Sequence, residues 1–174
     1  MLVIFALLEL ASEDAAWIEE IRRRHDPQAD LVPAHFTLVF PCEAPEGTEV
    51  MAQAAAVAST TAAIDFRLVS AVVVRDALAP RSQVFLVPDR GAEAITALHD
   101  QLYDGPLEPF LRRDIPYAPH VTVAAADSQA DAEAIAQTLG PVYVHGRVGA
   151  ITLASLVEGR LFDLQSWRLG GAGG

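Results

Sequence analysis

Two short segments of the chain have the residue types and spacing to do chemistry: His35-Phe36-Thr37 and His120-Val121-Thr122. Each lies in a run that reads as a β-strand, over residues 35–40 and 120–124. Residues i and i+2 of a strand share a face. His35 therefore sides with Thr37, and Phe36, Leu38 and Phe40 point away; His120 sides with Thr122, opposite Val121 and Val123. If the polar faces meet, one neutral imidazole can take a proton from attacking water and the other, protonated, can give one to a leaving oxygen. An unperturbed imidazole pKa of about 6.5 allows both forms near neutrality. The threonine hydroxyls are placed to bind non-bridging oxygens, where charge gathers in a transition state. This equipment suits a phosphodiester, and a strained cyclic phosphate would need no metal. A single His-x-Thr reads as a structural pair. Two copies at matching points of a repeated pattern read as a site, with base and acid unassigned between His35 and His120.

The elements that must position these residues run in one order twice. In the first half, residues 2–10 read as a buried strand rather than a signal peptide. A helix follows, with Ser12 as its cap, Glu13 and Asp14 at its start and Arg22–Arg24 at its end, matching the helix dipole. Then come a two-proline loop over 26–34, the first motif strand, a helix over 48–60 and a strand over 64–74. In the second half, a strand over 83–87 leads to a helix over 92–103. A four-proline loop over 105–119 precedes the second motif strand, then a helix over 128–139 and strands over 142–154 and 161–169. The histidines are 85 residues apart, close to half the chain. The expected fold is α+β: a single bilobal domain over 1–174 with pseudo-twofold halves of roughly 1–80 and 81–169. Antiparallel sheets should flank a central cleft with helices outside, and 170–174 should be a frayed tail.

Composition excludes several alternatives. The 174 residues include 23 acidic and 12 basic side chains, a net charge of −11, which speaks against a grip on long nucleic acid. All basic residues are arginine, so Schiff-base, P-loop and lysine-adenylylation chemistry are absent. No apolar run reaches a membrane span. The lone Cys42 cannot form an internal disulfide. The reading is a cytoplasmic protein without a cofactor. Threonine's repetition at both motifs, a poor ligand type, argues against a metal centre built from His35, His120 and a carboxylate.

Pro33-Ala34-His35-Phe36-Thr37-Leu38-Val39-Phe40 and Tyr117-Ala118-Pro119-His120-Val121-Thr122-Val123 resemble the two signatures of the two-histidine phosphoesterase superfamily. That group includes the 2′-5′ RNA ligase-like proteins and RNA 2′,3′-cyclic phosphodiesterases. The resemblance implies metal-independent chemistry by His35, Thr37, His120 and Thr122 on 2′,3′-cyclic phosphate ends of RNA or on small cyclic nucleotides, with a 2′-phosphate product. The implied partner is a small nucleotide or short RNA end. Many RNA-acting relatives carry an arginine soon after the second motif, where this chain has Ala124, Ala125 and Ala126. The alternative is a binding module that keeps the fold without catalysis.

Other residues are weaker candidates. Arg112 and Arg113 precede the second motif and are expected either to meet substrate phosphate, on a loop that could be a lid, or to form a solvated charge pair. Tyr117 and Phe85 could stack on a base or belong to the core. Arg81 and Arg160 are outside candidates. His25 reads as a helix cap, His99 as a surface residue in mid-helix, and His145 as a strand residue that could reach the cleft.

Overall fold

The structure, a computed structural model, describes residues 1–43, 47–76 and 79–170. The tail over 171–174 lies outside them. Nine strands and four helices follow one another as β1 (Leu2–Leu7), β2 (Glu9–Leu10), α1 (Ser12–His25), β3 (His35–Cys42), α2 (Thr48–Thr60), β4 (Ile64–Arg75), β5 (Ser82–Arg90), α3 (Ala92–Tyr103), β6 (Val121–Ala126), α4 (Gln129–Thr138), β7 (Val144–Val148), β8 (Ala150–Val157) and β9 (Arg160–Arg168). A 3₁₀ turn, Glu108–Phe110, interrupts the loop before β6.

All strand pairings are antiparallel, in a four-stranded sheet ordered β3-β1-β8-β9 and a five-stranded sheet ordered β2-β7-β4-β5-β6. The α+β class with two antiparallel sheets is as expected. Each sheet draws strands from both halves of the chain, so a division near residue 80 does not separate the sheets. The motif strands β3 and β6 are the edges of their sheets and lie against each other. Helix α1 packs on β6 and α3 on β3, so each half's first helix supports the other half's motif strand. Phe36 of β3 meets Phe66 of β4 edge-on, ring centroids 5.1 Å apart, and one buried apolar cluster spans both sheets.

Two apolar runs that read as single strands are each divided between the sheets. Residues 2–10 break at Leu8 into β1 and β2, and residues 142–154 break at Gly149 into β7 and β8. The breaks face each other: β1 pairs with β8 (Phe5 opposite Thr152), and β2 with β7 (Glu9 opposite Arg147). One antiparallel ribbon thus leaves one sheet and enters the other. At Gly149 the Glu9 carboxylate occupies the space a Cβ would take, its oxygen 2.1 Å from that position. A single connecting residue leaves no turn signal in the sequence to separate two strands.

The helix limits agree with the sequence reading to within a residue or so. Ala11, rather than Ser12, is the N-cap of α1; its carbonyl accepts from the Ala15 N–H, and no side chain caps the helix. Ser128 caps α4 by accepting from the Asp131 N–H at 3.1 Å.

Candidate functional site

The two motifs are built alike. On β1 and β3, Phe5 is paired with Thr37; on β5 and β6, Phe85 is paired with Thr122. In both pairs the register slips at the next position, to Ile4 opposite Val39 and Val84 opposite Ala124. Leu38 and Val123 are therefore equivalent bulge residues, one after each threonine. A bulge turns the following side chains, as is common beside active sites. Val39 is consequently buried and Phe40 is not, contrary to simple alternation from His35. Each histidine also rests on the equivalent phenylalanine. The Phe85 and His120 rings stack at 3.7 Å and 20°, and the Phe5 and His35 rings meet at 5.3 Å and 60°.

The imidazoles are held the same way. His35 Nδ1 lies 2.9 Å from the Pro33 carbonyl, and His120 Nδ1 lies 2.7 Å from the Ala118 carbonyl. A carbonyl only accepts, so Nδ1–H is the donor in both and each Nε2 carries the lone pair of the neutral ring. Neither Nε2 has a hydrogen-bond partner among the described residues, and the hydroxyls of Thr37 and Thr122 have none either. Burial lowers both histidine pKa values from the ordinary imidazole range, against the backbone carbonyls, which raise them. The charge of His120 also lowers that of His35. The four motif residues thus present two free imidazole nitrogens and two free hydroxyls.

A buried ion pair stands behind His35. Arg22 is 2% exposed; its Nε donates to Asp26 at 3.0 Å, one terminal nitrogen to Glu19 at 3.0 Å, and the other to the Val32 carbonyl at 2.7 Å. Glu19 accepts from the Ala34 N–H at 3.0 Å. Helix α1 thereby fixes the chain on the approach to His35, and both Arg22 and Asp26 act electrostatically on that histidine. The arginine run read as a complement to the helix dipole hides this. The signal was Glu19-x-x-Arg22-x-x-x-Asp26, with both acids at helical spacing from one arginine.

The second motif is tied to the first. The Tyr117 hydroxyl donates to the Thr37 carbonyl at 3.0 Å, and its ring stacks on His99 at 3.7 Å and 5°. His99 donates from Nδ1 to the Leu38 carbonyl at 2.6 Å, and the Phe40 N–H donates to the Tyr103 hydroxyl at 3.1 Å. His99 is 2% exposed, which corrects its reading as a surface residue. It sits on the buried face of α3 with Ile95, Leu98 and Leu102, and its polar atom is satisfied by the strand. Tyr117 joins β3 to the loop before His120.

The remaining candidates lie as follows. Arg112 is paired with Asp114 at 2.7 Å and Arg113 with Glu108 at 2.6 Å, both at the surface. Phe85 gives one ring face to His120. Leu107 is buried and Phe110 and Leu111 pack on the core, so the 105–119 loop is anchored. His25 ends α1. His145 is on β7, three strands from β6, beside Tyr143. Arg81 lines a shallow hollow of about 190 Å³ with Arg75 and Asp127, and Arg160 starts β9. A hollow of about 470 Å³ between α2, α3 and β4 includes no motif residue. Among the described residues no group of three or more His, Cys, Asp or Glu side chains could hold a metal ion, and no helix is long and apolar enough to cross a membrane.

The arrangement recurs in solved structures. E. coli LigT with NADP+ superposes with a TM-score of 0.60 at 20% identity, covering 97% of both chains. The same protein with 3′-AMP gives 0.59 at 21%, covering 96% of this chain and 97% of that one. A phosphoesterase structure gives 0.57 at 21%, covering 97% and 99%. The likeness defines the class as a LigT-like fold. The chain belongs to the 2′-5′ RNA ligase superfamily, whose family model matches residues 10–160. A Bacillus pumilus (strain SAFR-032) protein, whose name marks it as a candidate phosphoesterase, is 33% identical over 105 residues; the match spans 59% of this chain and 58% of that relative. The two-histidine phosphoesterase resemblance of the motifs thus agrees with family and fold.

Proposed function

We propose that the protein is a phosphoesterase that hydrolyses 2′,3′-cyclic phosphates, on RNA ends or small nucleotides, by two-histidine acid–base catalysis without a metal. The observation that carries this is the matched tautomer lock: both Nδ1 atoms are committed to backbone carbonyls, leaving a free Nε2 on each motif. One neutral Nε2 removes a proton from water as its oxygen bonds to phosphorus. The phosphorus–oxygen bond to one ribose oxygen breaks, and the other imidazolium gives its Nε2 proton to that oxygen. The product is a phosphomonoester. Thr37 and Thr122 donate to the non-bridging oxygens. Family and fold support a phosphoesterase or RNA ligase-like function, and the nucleotides held by LigT favour a small nucleotide as ligand.

Turnover of the four 2′,3′-cyclic nucleotide monophosphates in EDTA tests the reading. His35→Ala and His120→Ala should each lower it by about 10²-fold or more, the range for losing a general acid or base. Activity abolished by EDTA, or intact in either variant, would refute the mechanism. Nucleotide binding without turnover would instead favour the lapsed binding module.

A further inference from the structure

The motif-bearing faces of the two sheets differ outside the motifs. On the four-stranded sheet, Val3 and Ala154 lie beside Phe5 and are buried with it under Val32, with Leu161 packed against them. That face is filled. On the five-stranded sheet, the pairing register continues from Phe85 opposite Thr122 to place Val87 beside His120, and Ser70 is paired with Val87. Val87 and Ser70 are half-buried and short, and make a low floor. On the next strand Val144 is paired with Leu68, and the register continued one step places Tyr143, just before β7, beside Val69, one position along from Ser70. Three strand spacings separate Tyr143 from His120, roughly 14 Å.

Tyr143, just before β7, is 65% exposed. The Arg67 guanidinium lies over its ring, 5.5 Å from the centroid, and is itself held by Asp89. The His145 ring meets it edge-on at 5.0 Å. The ring is thus braced in place while much of it stays open to solvent. An aromatic platform with an adjoining guanidinium is the equipment with which proteins stack unpaired bases.

We propose that this face of the five-stranded sheet is the path of a single-stranded RNA end, with its terminal phosphate at His35 and His120, its chain crossing Val87 and Ser70, and an upstream base stacked on Tyr143. The assignment rests on the phosphoesterase reading and narrows it, because the base next to the reacting phosphate is too near the histidines to reach Tyr143. A mononucleotide leaves the platform empty. Charge contributes little: Arg67 is paired with Asp89, and Arg147 stands opposite Asp65 and Glu9. Stacking, which is tolerant of sequence, carries the binding.

The experiment compares binding of adenosine 3′-monophosphate and of a tetra-adenylate bearing a 3′-phosphate to the full chain. The tetranucleotide should bind more tightly by about 5–150-fold, the gain from one stacked base. Tyr143→Ala should erase that margin and leave mononucleotide binding unchanged, whereas Tyr143→Phe should keep it. Equal binding of both probes to the native protein, or a Tyr143→Ala variant that keeps the margin or weakens both probes alike, would overturn the path. Turnover is a separate readout: loss of the path leaves cyclic mononucleotide hydrolysis intact, and failure of that hydrolysis leaves the binding comparison meaningful.

Discussion

Replacing Arg22 by methionine tests whether the ion pair behind His35 both holds the fold and tunes the site. Methionine keeps much of the side-chain length and removes the charge and every donor. The Arg22 and Asp26 side chains are 2% and 4% exposed, so the substitution strands a buried carboxylate. It also frees the Val32 carbonyl and one partner of Glu19. The Asp26 carboxylate then retains only the bond from the Gln28 N–H, at 2.9 Å, among the described residues. Breaking a buried pair in this way costs about 3–5 kcal/mol. At about 2–4 °C per kcal/mol for a domain of this size, the melting temperature should fall by roughly 6–20 °C.

The same substitution has an electrostatic sign. Burial is the main cause of the lowered His35 pKa, and the Arg22 charge lowers it further while Asp26 raises it. Without Arg22 the His35 pKa should move up, and that of His120, which does not sense the pair, should stay. Calorimetry reads the first effect and histidine ring NMR the second. Arg22→Met with Asp26→Leu should recover part of the lost stability, because removing both partners leaves no orphaned charge. A melting temperature unchanged in Arg22→Met, with His35 titrating as before, would refute the reasoning.

Three further outcomes are expected. Burial lowers the pKa of both motif histidines, so under the proposed mechanism the kcat/KM profile should be a bell with its maximum on the acid side of the ordinary imidazole pKa of about 6.5; a maximum well into the alkaline range or a single limb would contradict it. His99 is also depressed by burial, so folded and unfolded states differ in protonation. Its neutral form is the folded one, and stability should be full above about pH 6.5 and fall as pH drops through the folded-state value, measured as melting temperature against pH. Tyr117→Phe removes only the donor to the Thr37 carbonyl. It should cost about 0.5–1.5 kcal/mol in denaturant unfolding, and kcat should fall further than that of an equally destabilised variant remote from the motifs.

The motif residues were legible because their chemistry and their period coincide. His-x-Thr on a strand places both polar side chains on one face, and its repetition marks the two as one site. Helix limits were legible from acids, arginines and small residues at the expected ends. The sheet exchange was not, because Leu8 and Gly149 are single residues between strand segments and no turn-forming cluster marks either break. Phe5 escaped notice for a related reason: an aromatic on a first strand reads as core, and only its pairing with Thr37 shows it to be the counterpart of Phe85. Arg112, Arg113 and His99 show the reverse problem. Charge in a loop and imidazole on a helix look available until the partners, Asp114, Glu108 and the Leu38 carbonyl, are placed.

A duplicated site raises the question of how two equivalent histidines divide acid and base. Both are held at Nδ1, both meet a phenylalanine ring, and burial lowers the pKa of both, so none of these features assigns the acid or the base. The asymmetry lies one layer further out. Arg22 and Asp26 act on His35 alone, and the face beside Phe5 is filled while the face beside Phe85 is open. A cyclic phosphate has two inequivalent ester oxygens, so the direction in which the ribose lies decides which oxygen meets which imidazole. If the chain leaves across Val87 and Ser70, that direction is set by the open sheet, and the histidine that protonates the leaving oxygen follows from it. The ratio of 2′- to 3′-phosphate product should then stay fixed in Arg22→Met, which alters the His35 pKa and leaves the open face intact. A mixed product from that variant would mean that proton affinity, rather than the shape of the cleft, assigns the roles.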